Sequence, residues 1–154
     1  GSFYDDEVEW NITCDIEAAK IVYESNIAIQ AFGLDVTNRL RIEDEELNIL
    51  LKKHVLGPLG YLLDLNRLWY KEYQRPIILY DVLPLNYMLN HKNVVMTKHH
   101  VHVDNTGIYQ LGQTMNLDRK SYPELEKRYL IESGVQVDTH GFFKDINHLI
   151  INIE

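Results

Sequence analysis

The stretch that most constrains this chain is Ile77-Ile78-Leu79-Tyr80-Asp81-Val82-Leu83-Pro84. An apolar run ends at an aspartate, and a helix-like pattern of Leu85, Met88 and Leu89 departs from it. That pattern predicts a buried strand or extended segment feeding a helix start, with Tyr80 and Asp81 at the corner. Open α/β folds gather ligands at such corners, because strand ends and helix N-termini meet there. Asp81 also has a plainer reading, as an N-cap accepting hydrogen bonds from the first helical turn.

The segments around this corner read as alternating helices and strands. Asp15 is a candidate N-cap for a helix through Tyr23, with Ala18, Ile21 and Val22 as its buried stripe. Glu17 and Glu24 lie within i+3 and i+4 reach of Lys20. The preceding strand is either missing or Val8–Thr13. Residues 27–33 form an almost continuous apolar run, which suits a parallel strand covered on both faces. Residues 42–55 read as a helix with Leu47, Leu50, Leu51 and Val55 on one face, stopped by Gly57-Pro58. A third helix is expected over 59–73, burying Leu59, Leu62, Leu63, Leu65, Leu68 and Trp69. Trp69, Tyr70 and Tyr73 are either core or a stacking wall for a planar ligand.

After a loop at 90–93 the pattern changes. Residues 94–104 and 108–117 read as a hairpin around Asn105-Thr106-Gly107. His100 and His102 should share one face and His99 the other. With no cysteine pair and no HExxH helix, we read no zinc site in them. Residues 118–133 read as a polar loop or short helix, 135–138 as a last strand, and 140–150 as a closing helix with Phe142, Phe143, Ile146, Leu149 and Ile150 inward. The class is α/β, expected as one domain over 1–154.

Composition narrows the function classes. A net charge of -8 over 154 residues argues against a nucleic-acid binder, which needs a basic face. No apolar run approaches a membrane span. The single cysteine, Cys14, excludes an internal disulfide and suits a reduced cytoplasmic setting. Asp5-Asp6 invites a metal reading, but a hard cation wants six to eight oxygens from several segments. There is no Gly-rich phosphate loop and no nucleophile elbow.

Several segments together resemble one family. Glu9-Trp10-Asn11-Ile12 followed by Asp15–Val22 resembles the AEFNI…DPEAAKIV stretch of the inosine–uridine-preferring nucleoside hydrolases. Residues 27–37, ending GLDVT, resemble that family's next strand. Leu79-Tyr80-Asp81 with Leu83–Tyr87 resembles its LHDPLAVAY. Val101–Asp104 with Leu111–Thr114 resembles its late VxVE…RGxT hairpin, and Val137-Asp138 with Phe142-Phe143 its closing strand and helix.

The resemblance implies the C-terminal portion of an open, mostly parallel sheet flanked by helices, with a late β-hairpin. It implies a parent that hydrolyses the N-glycosidic bond of ribonucleosides to base and ribose with Ca²⁺-activated water. Asp81 matches a late Ca²⁺ ligand and ribose contact, and Glu9 and Asn11 match ribose-hydroxyl contacts. Three departures stand out. The N-terminal DxDPGxDD cluster that supplies most metal ligands has no counterpart, and Asp5-Asp6 does not replace it. Tyr80 stands at the family's proton-donating histidine, and Val82 at its proline. Phe3 stands where many members carry an asparagine. These departures imply a fragment that is inactive alone and does not hold Ca²⁺ tightly. They leave a non-catalytic binding or assembly module as the alternative. Lacking cover for the strand at 27–33, the chain should self-associate or pair with the missing half.

Overall fold

The computed structural model describes residues 8–42, 57–117, 120 and 130–151. The expected helix over 42–55, Asp5, Asp6 and Phe3 all lie outside them, apart from Ile42. The described elements are α1 (Trp10–Cys14), α2 (Ile16–Tyr23), β1 (Gln30–Ala31), α3 (Leu34–Thr37), β2 (Arg41–Ile42), α4 (Pro58–Tyr73), β3 (Ile77–Ile78), α5 (Val82–Leu89), β4 (Val94–Val103), β5 (Thr114–Leu117), β6 (Ile131–Val137) and α6 (Thr139–Ile151). No helix of the described residues is long and apolar enough to cross a membrane.

The main sheet runs β1-β6-β4-β5. β6 pairs parallel with β1 and antiparallel with β4, and β4 pairs antiparallel with β5. β2 and β3 form a separate antiparallel ribbon. The α/β class and the late hairpin hold, while the parallel character is confined to one pair among the described strands. The strand expected at 135–138 begins earlier, at Ile131, and is central. Buried Ile131, Ser133 and Gly134 alternate with the half-buried Glu132 there.

The principal core lies between α3, α5, α6 and the β4–β6 pair. Val36, Leu40, Leu83, Tyr87, Val94, Val137 and Phe142 form it, with Phe143 and Ile146 packed against them. Phe142 and Ile146 share one face of α6 at helical spacing, as the sequence pattern predicts, but Leu149 is exposed. The ends of α5 and α6 are tied by buried amides. Asn93 Nδ2 donates to Asp145 Oδ2 (2.7 Å) and to Asn86 Oδ1 (3.2 Å), and Asn90 Nδ2 donates to the same Asp145 oxygen (2.7 Å).

Other elements depart from the periodicity reading. Val8–Thr13 is not a strand: its backbone turns into α1, with Ile12 and Thr13 N–H groups donating to Glu9 O. This tucks Ile12 into the interior. On α2, Ile21 and Val22 are exposed and Ala18 faces outward, while Ile16, Ala19, Lys20 and Tyr23 turn inward. Polar anchors decide that rotation. Lys20 Nζ donates to Asn105 Oδ1 (2.8 Å), Asn105 Nδ2 donates to Glu17 Oε1 (2.7 Å), and Glu24 Oε1 meets His102 Nδ1 (2.9 Å). On α4, Leu63 and Asn66 are buried, whereas Leu62, Leu65 and Leu68 are exposed. Gly57 adopts a positive φ of 88° and Pro58 occupies the first helical turn, so this pair starts α4.

The second hairpin strand is shorter than expected. Residues 108–113 stay out of the ladder because the buried Asp104 carboxylate gathers the loop. It accepts from Thr106 N (2.8 Å), Thr106 Oγ1 (2.8 Å), Gly107 N (2.9 Å) and Tyr109 N (2.8 Å). Gly112 closes the loop at φ 85°, where an added Cβ would meet Val8 Cγ1 at 3.1 Å. His99 Nε2 sits 3.0 Å from Ser133 Oγ, and burial with the neighbouring His100 pushes its pKa down.

Two outcomes are expected from this packing. Leu83→Ala, at a fully buried site, should cost about 2–5 kcal/mol of stability in urea denaturation. The donors around Asp104, Tyr109 N–H foremost, hold its carboxyl well below the usual carboxylate range. An unfolded aspartate titrates at about 4, so on acidification below that the unfolded chain takes up a proton that the native one resists. Stability present above about pH 4 is therefore lost as pH falls towards the native pKa. Asp104→Asn should lower the urea midpoint at neutral pH and flatten its decline between about pH 5 and 3.

Candidate active site

The extended segment of β3 delivers the chain to the corner as the sequence predicts, but its partner is β2 rather than the main sheet. Leu79 N donates to Leu40 O (2.9 Å), which extends the ribbon to the residue before Tyr80. Tyr80 and Asp81 then make the turn into α5, whose Leu83, Asn86 and Tyr87 are buried. Burial of that face fixes the helix, and so fixes where its first residues emerge.

Asp81 occupies the N-cap position of α5, yet its side chain makes no cap hydrogen bond, and its backbone is helical (φ -83°, ψ -11°). The contrast with Asp15 is direct. Asp15 has non-helical backbone angles, and its Oδ1 accepts from Ala18 N at 2.9 Å. A capping aspartate needs such angles to fold its carboxylate back over the first turn. Asp81, already helical, leaves its carboxylate exposed at the corner.

A cleft of about 630 Å³ opens at this corner. Small-molecule sites span roughly 300–1,000 Å³. Glu9, Asn11, Tyr80 and Asp81 all line it. These residues come from two segments some seventy positions apart in the chain, brought together by α1 and the β3–α5 corner. Glu9 is half-buried just before α1, and Asn11 is exposed within it. Tyr80 is 42% exposed. Glu9 also acts on the interior: its charge, after burial, raises the Tyr23 hydroxyl to about 12.

Gln30, Phe32, Leu34, Thr37, Pro84, Val8 and Trp10 complete the described lining. Gln30, Phe32 and Thr37 were absent from the sequence-derived set. Thr37 is buried with its hydroxyl donating to Gly33 O (3.1 Å), and Phe32 packs on Tyr87 with ring centroids 5.2 Å apart. The run 27–37 that ends in GLDVT carries all three, and it reads only as a strand and its exit until α3 folds the end back. Trp69, Tyr70 and Tyr73 are not among the residues lining this cleft. Trp69 instead stacks on Tyr73 (4.2 Å between centroids), with the Arg75 guanidinium over both rings.

The donors among the described residues do not by themselves make a complete Ca²⁺ cage. Among the described residues the cleft offers two carboxylates, Glu9 and Asp81, the side-chain amides of Asn11 and Gln30, and the hydroxyls of Thr37 and Tyr80. No group of three or more His, Cys, Asp or Glu residues is placed to hold a metal ion among them. Calcium takes six to eight oxygens. The exposed Asp81 carboxylate suits an end-on ligand or a partner for developing positive charge.

The comparisons agree with this architecture. The pyrimidine-specific ribonucleoside hydrolase RihA of Escherichia coli O9:H4 (strain HS) is 30% identical over 112 residues, which are 70% of this chain and 36% of that protein. The inosine-uridine preferring nucleoside hydrolase of Bacillus anthracis shares the fold with a TM-score of 0.75 at 21% identity, over 99% of this chain and 46% of its own. A purine-preferring ribonucleoside hydrolase from Gardnerella vaginalis does so with a TM-score of 0.75 at 22% identity, over 90% and 44%. The chain thus spans about a third of that curated relative and less than half of either solved chain. With a cleft built from the corner at Asp81, the fold of these enzymes and a family match over residues 4–144, the chain belongs to the inosine-uridine preferring nucleoside hydrolase family.

Proposed function

We propose that this chain supplies one wall of a ribonucleoside site in a protein that hydrolyses the N-glycosidic bond to base and ribose. The observation that carries this reading is the meeting of Glu9, Asn11, Tyr80 and Asp81 in one cleft, with the Asp81 carboxylate left out of helix capping. Breaking the bond builds positive charge on the sugar and negative charge on the departing base. Asp81 stabilises the first. Tyr80, whose hydroxyl is a weak acid, donates a proton to the second. Glu9 and Asn11 hydrogen-bond the ribose hydroxyls and hold the sugar between the two carboxylates.

The calcium implied by the family would supply an activated water, but the donors among the described residues fall short of holding it. On this reading, activity needs further oxygen ligands beside Glu9, Asn11 and Asp81. A reducing cytoplasmic setting suits the exposed thiol of Cys14. A non-catalytic binding module is the second reading, favoured by the tyrosine at the proton-donor position.

Release of base from inosine and uridine by the longest native polypeptide tests the assignment. Asp81→Asn should lower kcat/KM by about 10²–10³-fold. Tyr80→His should raise it about tenfold near neutral pH, because imidazole titrates closer to the working pH. An unchanged rate in both variants would remove these residues from the reaction, and nucleoside binding with no hydrolysis would favour the second reading. Calorimetric titration of the isolated chain with Ca²⁺ should show no micromolar binding, and a micromolar Kd would overturn the incomplete-cage reading.

A further inference from the structure

α2 meets the end of β4 through polar contacts to which the proposed reaction gives no role. His102 Nδ1 stands 2.9 Å from Glu24 Oε1, and the two side chains are only 28% and 19% exposed. Three residues on, Asn105 grips the same helix, accepting from Lys20 Nζ (2.8 Å) and donating to Glu17 Oε1 (2.7 Å). An ionised carboxylate only accepts, so His102 Nδ1 carries a proton whenever it bonds Glu24. Protonation of the other ring nitrogen adds a positive charge to that donor, and a charge-assisted bond is about twice as strong as a neutral one. α2 and its C-cap bring Glu17, Lys20, Tyr23 and Glu24 to this region of β4. His100 and Asp104 flank His102 on its own strand and turn, β5 offers no charged or titratable group, and the described pairing with β6 stops at His99.

The helix so held carries one wall of the cleft. Asp15 closes α1 with its N–H on Ile12 O (3.2 Å) and caps α2 with its Oδ1 on Ala18 N (2.9 Å), so no linker separates the two helices. α1 is fixed in turn to Glu9, whose carbonyl accepts from Ile12 N (3.1 Å) and Thr13 N (3.0 Å). Gly112, in the loop that follows His102, lies against Val8 and Ile16. A shift of α2 on β4 therefore moves Glu9 and Asn11. Tyr80 and Asp81 stay where they are, because α5 is set by a separate core.

We infer that His102 is a positioning residue for the sugar-binding wall: its bond to Glu24 seats α2, and with it Glu9 and Asn11, and seats them more firmly when the imidazole is charged. The inference rests on the proposed function for the identity of the ligand, whereas the coupling of His102 to α1 is independent of it. Contacts made equally in the ground and transition states act on KM rather than kcat. KM for the nucleoside should thus rise with pH as the imidazole loses its charge.

Steady-state hydrolysis of inosine and uridine by the longest native polypeptide, between about pH 5.5 and 8, tests this. The unaltered protein should show a KM that rises about fivefold over that range. His102→Asn keeps a donor near the Nδ1 position but cannot titrate, so its KM should stay flat, near the high-pH value of the unaltered protein. His102→Ala should raise KM at least as far at every pH and leave kcat within about twofold. A KM of the unaltered protein that ignores pH, a His102→Asn variant that keeps its pH profile, or a His102→Ala variant that loses kcat rather than KM would each overturn the inference. Amide exchange, corrected for intrinsic rates, separates it from the catalytic reading. Protection at Ile12 and Thr13 should fall in His102→Ala, and should rise on acidification in the unaltered protein but not in His102→Asn. That outcome without release of base upholds the positioning role and counts against the catalytic reading alone. Protection unchanged in His102→Ala overturns the inference whether or not base is released.

Discussion

The structure hangs on β6. It is the only described strand with a partner on each side that joins the first part of the chain to the last, parallel to β1 and antiparallel to β4. Its side chains repeat that role. Glu132 accepts from Gln30 on one neighbour and pairs with Lys98 on the other (3.1 Å), and Gln30 first, then Lys98, holds its carboxyl below the usual range. Solvent screens that surface ion pair, so its value is in register rather than stability. Ser133 meets His99 in the interior, and Val137 enters the core. Asp138 then starts α6 by accepting from Gly141 N (3.0 Å).

The candidate site depends on this frame at one remove. α5 carries Asp81 at its first turn, and its position is set by burial of Leu83 and Tyr87 against β4, β6 and α6. Its far end is tied to α6 through Asn86, Asn90, Asn93 and Asp145. A corner so anchored holds an uncapped carboxylate in place. That arrangement is costly for stability, since an N-cap is worth about 1 kcal/mol, and useful for binding. The opposite wall is set by α2, whose polar groups dock on the loop that Asp104 organises. Glu9 and Asn11 thus reach the cleft because a buried carboxylate elsewhere holds the loop on which α2 rests.

Much of this was legible in the residues. The strand-to-helix corner at 77–84, the capping role of Asp15 and the inward Phe142 and Ile146 of the last helix follow from local chemistry. So did the four residues that the cleft unites, through motifs matched in order along the chain. Where periodicity misled, polar contacts between distant segments were the reason. Ile21 and Val22 look like a buried stripe, but Lys20 and Glu24 find Asn105 and His102 and turn the helix the other way. Residues 108–113 look like a strand, but the Asp104 carboxylate that gathers Thr106 and Gly107 also takes the Tyr109 N–H and keeps that stretch out of the ladder.

Sequence alone therefore determined the class, the family and four of the side chains that line the cleft, because each is written in local pattern and side-chain type. Tertiary structure decided the rest. It released Asp81 from capping, because the helix begins with Asp81 itself in helical angles. It moved β3 out of the main sheet, because Leu79 pairs with Leu40. It also left the apolar run at 27–33 on an open edge, because β6 covers one side of it and the described residues hold no strand for the other.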